Sequence, residues 1–163
     1  YKMYDYITKD LPNLISNNFQ FSKSKVGIFG HSMGGGGAIQ CAIKNDLYKT
    51  VSAFSPICSL HKTEFAKEMF ENYLGKNHDQ LDLYDPITLI KKSSKKFENI
   101  KIDVGLKDEF LKDLYIDDFI SECNAVGQNL IINKHEGYDH GYYFIISFIK
   151  DHIGYHATFL KNI

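Results

Sequence analysis

The sequence predicts an α/β protein in which a mostly parallel sheet is covered by helices on both faces. Short apolar, β-branched runs alternate along the chain with helix-length segments. Parallel strands need crossover connections, and right-handed strand-helix-strand units supply them. The chain has 163 residues, of which 44% are hydrophobic, and this is enough for one sizeable core. We therefore expect residues 1–163 to form a single domain.

Ten segments of the chain predict regular elements. Four short runs rich in apolar and β-branched residues predict strands, and these are 25–29, 50–54, 100–106 and 130–134. Six segments with apolar residues at helical spacing predict helices, and these are 1–18, 38–44, 63–74, 86–92, 116–126 and 142–160. The longest apolar run, 142–149, is too short to cross a bilayer, so we expect no membrane partner.

Charge and cysteine content exclude several classes of protein. The 19 basic residues balance 20 acidic ones, and every basic residue is lysine. Without the bidentate arginine fork, and without net positive charge, nucleic acid is not an expected partner. The lysine-rich segment 91–96 is interpreted as a solvated helix end. Cys41, Cys58 and Cys123 show neither disulfide nor metal-ligand spacing, which favours reduced thiols in a cytoplasmic protein.

The motif G-H-S-M-G at residues 30–34 follows the first predicted strand and precedes a helix. This G-x-S-x-G pattern places a serine on a sharp strand-to-helix turn, so Ser32 is the candidate nucleophile. The backbone N–H of Met33 is then the candidate oxyanion donor. A connecting glycine-rich loop and a phosphate-binding turn are the alternatives. The sequence satisfies neither of the two phosphate-binding glycine motifs, which weakens the second alternative.

A serine nucleophile of this kind requires an acid and then a histidine, each in a loop after a later strand. Asp108 follows the third predicted strand and is the candidate acid. Glu109 is a near competitor, whereas Asp103 is expected inside the strand. His140 lies in a glycine-bounded loop after the fourth strand and is the candidate base. The order along the chain is Ser, Asp, His.

The remaining candidates for site chemistry are given structural interpretations. His31 is expected to pack near the nucleophile without reacting. His152 and His156 have zinc-ligand spacing on the last helix, but no third ligand accompanies them, so a helix surface is favoured. Cys58 follows the second strand and is interpreted as a bystander thiol. We therefore expect neither a metal nor a cofactor.

Three blocks of sequence, at 30–35, 51–58 and 136–144, together resemble the S-formylglutathione hydrolase family, also called esterase D. The resemblance extends over essentially the whole chain. It implies an α/β-hydrolase fold and hydrolysis of S-formylglutathione to formate and glutathione, with carboxylesterase activity on small acyl esters and no metal. Carried over by position, it implies Ser32 as nucleophile, Asp108 as acid and His140 as base, the three residues reached above.

Members of that family are longer, so the chain is expected to be the C-terminal part of a catalytic domain whose N-terminal strands and second oxyanion donor lie outside it. An unpaired central strand exposes backbone groups and apolar surface, which favours a homo-oligomer. Two hypotheses follow. The chain is a hydrolase of S-formylglutathione or of general acyl esters, or it is an inactive fragment that self-associates.

Overall fold

Four parallel strands form one sheet in the computed structural model of the chain. The structure describes residues 2–20, 22, 24–63, 66, 68, 71–72, 75 and 78–162. The strands are β1 Val26–His31, β2 Tyr48–Phe54, β3 Ile100–Gly105 and β4 Leu130–His135. They lie in the order β1-β2-β3-β4, and every neighbouring pair is parallel. The carboxyl ends of all four strands therefore meet at one edge of the sheet.

Helices connect the strands and flank them. They are α1 Met3–Asp5, α2 Leu11–Asn18, α3 Met33–Lys44, α4 Pro86–Lys92, α5 Ile116–Ala125 and α6 Tyr142–Lys161. A π-helical turn at Tyr6–Asp10 joins α1 to α2. Local chemistry sets the start of α4, where the Asp85 side chain accepts a hydrogen bond from the Thr88 N–H and Pro86 occupies the first turn. Among the described helices, none is long and apolar enough to cross a membrane.

Alternate residues of each strand face different layers, as the two-residue period of a strand requires. Val51 and Ala53 of β2, with Ile102 of β3, belong to the apolar core that includes residues of α3, α4 and α5. Thr50 and Ser52 face the opposite way and contact histidines of α6. The predicted parallel sheet with helices on both faces is thus confirmed, with an apolar layer on one side and a polar one on the other.

The observed ends of the elements differ in part from the predicted ends. β1 continues to His31, two residues past the predicted 25–29, and α3 begins at Met33 instead of 38. The helix includes the run of glycines, two of which, Gly35 and Gly36, pack directly on the backbone of Pro56 and Ile57. A Cβ at Gly36 would lie 2.3 Å from the Ile57 carbonyl oxygen. The predicted helix 63–74 falls largely outside the described residues.

β1 and β4 are the two edge strands of the described sheet, and the outer edge of β1 is hydrogen-bonded to no other described strand. The predicted helix over 1–18 forms beside this edge, but Met3, Tyr6 and Leu14 on its apolar side remain exposed. A groove of about 1070 Å³ runs between the helix and the strand. Phe29 of β1 is also exposed there.

Candidate active site

Ser32 sits at the turn between β1 and α3 in a strained backbone conformation, with φ +56° and ψ −118°. Three hydrogen bonds hold this turn. The Ser32 N–H donates to the Phe54 carbonyl at 2.9 Å, and the Ser32 carbonyl accepts from the N–H groups of Gly36 at 3.0 Å and Ile57 at 3.1 Å. A positive φ in a non-glycine residue persists only when its surroundings enforce it, and this is a common feature of functional sites.

The first glycine of the motif is sterically required, and the second is not. A Cβ at Gly30 would lie 2.2 Å from the Gly34 carbonyl oxygen and 2.4 Å from the Gly34 carbonyl carbon. A Cβ at Gly34 would meet nothing within 4 Å. The turn that presents Ser32 thus depends on close approach of the backbone at residue 30.

Asp108 and His140 form a hydrogen-bonded pair after β3 and β4. Asp108 Oδ2 lies 2.7 Å from His140 Nδ1, and Asp108 Oδ1 accepts from the Phe110 N–H at 2.8 Å. The Asp108 side chain is fully buried, whereas 13% of the His140 side chain is exposed. Since the carboxylate accepts at Nδ1, the imidazole carries its proton there, and Nε2 is left as the basic nitrogen.

Backbone contacts bring the two loops together. The Leu106 N–H donates to the His135 carbonyl, and the Lys107 N–H donates to the Tyr138 carbonyl, both at 2.9 Å. Gly105 permits this approach, because a Cβ there would lie 2.3 Å from the Tyr138 oxygen. The loop that carries the acid is therefore fixed against the loop that carries the histidine.

The competing acids make different contacts. Glu109 Oε2 accepts from the backbone N–H of His140 at 3.4 Å, whereas the His140 ring is hydrogen-bonded to Asp108. Asp103 lies inside β3, as expected, and is buried on the α6 face of the sheet. Of the three carboxylates considered from the sequence, Asp108 is the one paired with the His140 ring.

His31 precedes Ser32 in the chain, and its ring packs against His140. The His31 ring lies against the His140 ring, with 4.4 Å between centroids. Phe110 packs edge-on against the His140 ring, with 5.0 Å between centroids. Burial, with the charge of His140 as a further cause, lowers the pKa of His31. The described residues include no hydrogen bond between Ser32 Oγ and His140. Such a bond often forms only when substrate is bound.

Cys58 has the expected character of a bystander thiol. Cys58 is fully buried, and burial raises the pKa of its thiol well above the ordinary value, so the thiolate nucleophile is disfavoured. All three cysteines are free and buried, as predicted. The part of the chain that the structure describes contains no cluster of three or more His, Cys, Asp or Glu side chains arranged to hold a metal ion.

The interpretation of His152 and His156 as surface residues is wrong. His152 is fully buried and His156 is 8% exposed. Both contact polar side chains of the sheet, with His152 Nδ1 2.8 Å from Ser52 Oγ and His156 Nδ1 2.6 Å from Thr50 Oγ1. The available signal was the pair Thr50 and Ser52, two polar residues at alternate positions of a strand expected to be buried.

The chain resembles known hydrolases in sequence and in structure. It matches the model of a family described as "Putative esterase" over residues 1–155. S-formylglutathione hydrolase of Bos taurus is 44% identical over an alignment of 164 positions, which covers 99% of this chain and 58% of that protein. The chain thus spans little more than half the length of the curated relatives that it matches.

Two solved structures are similar to this one. That of an S-formylglutathione hydrolase from Agrobacterium tumefaciens has a TM-score of 0.91 and 38% identity, over 97% of this chain and 57% of the other. That of fluorophosphonate-binding serine hydrolase F from Staphylococcus aureus has a TM-score of 0.77 and 25% identity, over 94% and 62%.

Proposed function

Because this chain belongs to the esterase family whose model matches residues 1–155, we propose that it carries the catalytic machinery of a serine hydrolase acting on S-formylglutathione. It has the α/β-hydrolase fold that the superposed Agrobacterium enzyme also has. The observation that supports the proposal most directly is the buried Asp108–His140 pair at 2.7 Å beside the strained turn of Ser32. We further propose that residues 1–163 act as one domain and that the protein is cytoplasmic, which three free cysteines favour.

In the proposed reaction Ser32 is the nucleophile, Asp108 orients the imidazole, and His140 acts first as base and then as acid. Nε2 of His140 takes the proton of Ser32 Oγ as the oxygen attacks the formyl carbonyl carbon. Asp108 keeps the proton of the ring on Nδ1 and stabilises the imidazolium that forms. The tetrahedral intermediate then expels the glutathione sulfur, which receives the proton from His140. Water repeats the sequence on the formyl-serine, releases formate and restores Ser32.

The oxyanion of the intermediate needs donors that are already in place. Met33 is the first residue of α3, and the N–H groups of a first helical turn have no acceptor within the helix. The adjacent helix N-terminus also favours negative charge. The Met33 N–H is therefore assigned as one oxyanion donor, and no second donor is assigned among the described residues.

Hydrolysis of S-formylglutathione by the purified chain tests the proposal, with an acetyl ester assayed beside it. Ser32→Ala should abolish turnover. Asp108→Asn should lower kcat by about 10⁴-fold, as loss of the correct tautomer does in comparable triads. Glu109→Gln is the matched control one residue away and should stay near the kcat of the unchanged chain. Turnover that survives Ser32→Ala would contradict the proposal, and turnover of the acetyl ester alone would favour a general carboxylesterase.

A second proposal concerns partners. The open edge of β1 and the adjacent exposed apolar groove favour self-association into a homo-oligomer, either of the active chain or of an inactive fragment. An edge strand with unpaired backbone groups pairs readily with a second copy. The small-molecule partner in the first proposal is S-formylglutathione or a small acyl ester.

A further inference from the structure

A line of buried polar side chains crosses the sheet beneath α6. Thr50 Oγ1 lies 2.6 Å from His156 Nδ1, and His156 Nε2 lies 2.9 Å from Ser52 Oγ. Ser52 Oγ lies 2.8 Å from His152 Nδ1, and His152 Nε2 lies 3.3 Å from Asp103 Oδ1. All five residues are buried, so substrate does not reach them. The proposed reaction uses none of them.

The carboxylate at one end of this line is ionised. Besides His152, the side chains of Lys101, Asn133 and His135 contact Asp103 at 2.6, 3.0 and 2.9 Å. Burial acts to raise the pKa of Asp103, but the polar contacts with His152 first, and then with Lys101, His135 and Asn133, outweigh it and lower that pKa well below the ordinary value. Lys101 already neutralises the charge, so the carboxylate does not need a second cation.

An ionised Asp103 determines where the protons lie. His152 Nε2 is buried and makes no hydrogen bond of good geometry. A lone pair on that nitrogen would face the Asp103 oxygen, so Nε2 must carry the proton. The neutral ring then accepts at Nδ1 from the Ser52 hydroxyl. Ser52 Oγ in turn accepts from His156 Nε2–H, and His156 Nδ1 accepts from the Thr50 hydroxyl.

In the reverse order of donors, His152 Nδ1–H would donate to Ser52 Oγ. Nε2 of a neutral His152 would then face the Asp103 oxygen with a lone pair, so this order requires His152 to be a cation. Complete burial disfavours that cation, and Lys101 stands beside the same carboxylate. Burial is the main cause that lowers the pKa of both His152 and His156. The neutral order is therefore the favoured one. Gly27 leaves room for the hydrogen bond between Thr50 and His156, because a Cβ at Gly27 would lie 2.5 Å from both His156 Nδ1 and Thr50 Oγ1.

The same line reaches the turn of Ser32. The His152 ring stacks on the Phe54 ring with 3.7 Å between centroids and an interplanar angle of 19°. The Phe54 carbonyl is the acceptor for the Ser32 N–H. The next N–H, that of Ser55, donates to the Asp103 carbonyl at 2.8 Å. Asp103 and His152 thus fix the end of β2 that holds the turn.

We propose that Asp103 is a positioning residue: the charge of its carboxylate, 3.3 Å from His152 Nε2, keeps His152 and His156 as neutral Nε2–H tautomers, orients the hydrogen bonds from Thr50 to His152 in one direction and thereby fixes the Phe54 carbonyl that binds the Ser32 amide. The inference rests on the proposed function only in regarding Ser32 as the nucleophile. The chain of donors is a property of the folded protein with or without hydrolysis.

Nitrogen NMR of the unchanged protein at pH 7 tests the proton assignment. Protonated and unprotonated ring nitrogens differ strongly in ¹⁵N shift, so the tautomer of each histidine is read directly. We expect Nε2–H for both His152 and His156. A cationic His152, or an Nδ1–H tautomer of either ring, would overturn the proposal whatever the outcome of the hydrolysis assay.

Amide hydrogen exchange at Ser32 tests the positioning role with two nearly isosteric variants. Asp103→Asn should speed exchange of the Ser32 amide about tenfold relative to the Phe119 amide in α5. The reason is that the charged carboxylate no longer fixes the His152 ring, which stacks on Phe54. Thr50→Val removes only the first donor of the chain and should leave Ser32 exchange unchanged. If hydrolysis is measurable, Asp103→Asn should lower kcat and leave KM unchanged. If the Ser32 amide exchanges at the same rate in both variants, Asp103 does not position the turn of Ser32, and the proposal is overturned.

Discussion

Single atoms decide whether the turn of Ser32 can form. Gly30→Ala should destabilise the protein by about 3 kcal/mol and suppress any reaction of Ser32, because the new methyl group meets the Gly34 carbonyl and backbone cannot move aside cheaply. Gly34→Ala is the matched control, since its methyl group enters open space. It should leave stability unchanged or raise it by about 0.5 to 1 kcal/mol, as alanine favours the helix.

Urea denaturation of both variants, with fluorophosphonate labelling of Ser32, measures the difference. Equal stability of the two alanine variants would contradict the steric argument. A Gly30→Ala variant that labels as fast as the unchanged chain would do so as well.

At the scale of single residues, the candidate catalytic residues could be predicted from the sequence, because a serine nucleophile requires particular residue types at particular places. The G-x-S-x-G motif made Ser32 a candidate, and the positions of Asp108 and His140 after later strands made them its candidate partners. Their catalytic roles stay a prediction, although the structure brings the acid and the histidine together. The burial of His152 could not be predicted from its own helix, because its partners Ser52 and Asp103 belong to strands that are distant in sequence.

Among the elements, the strands and most helices could be predicted from hydrophobic period, whereas their ends could not. The start of α3 depends on the close approach of Gly36 to Ile57, which is a tertiary contact. The π-helical turn at Tyr6–Asp10 left no signal in the apolar spacing. α6 is the element whose character was most misjudged, because its buried side carries histidines that only a polar strand face can satisfy.

The buried histidines of α6 should make stability depend on pH. Burial lowers the pKa of His156 to about 4. Between the ordinary value near 6.5 and 4, the unfolded chain binds a proton that the folded chain does not, so stability falls as pH falls through this window. The loss is on the order of 3 kcal/mol for this one group. Asp103 acts only at lower pH, because its lowered pKa matters below the ordinary carboxyl range.

Urea denaturation at pH 7.0 and pH 4.5 measures that dependence, with His156→Gln as the control. The glutamine variant has no proton to gain at this position, so its stability should change less between the two pH values. A pH dependence identical in the two proteins would show that His156 is not the group responsible.

For the whole molecule, the described sheet is covered on one face by α6 and on the other by α3, α4 and α5, and its edge strands are β1 and β4. Apolar residues of the first helix, Met3, Ile7 and Ile15 among them, line the groove beside β1, and Met3 is exposed there. The helical period of residues 1–18 correctly predicted that apolar side. The helical period does not predict which surface packs on that apolar side, because an amphipathic pattern indicates only that one face of a helix is buried.

Association of the chain should therefore depend on the face of β1. Phe29 is 46% exposed on this strand, and Leu83, at 54%, is exposed outside it. Phe29→Lys should weaken self-association by at least about tenfold in Kd, because a lysine on an edge strand opposes pairing and the lost ring no longer buries apolar area. Leu83→Lys introduces the same charge elsewhere and should leave Kd unchanged. Sedimentation velocity over a concentration series gives each Kd. If the unchanged chain sediments as a monomer at tens of micromolar, or if the two lysine variants behave alike, β1 is not the surface through which copies of this chain associate.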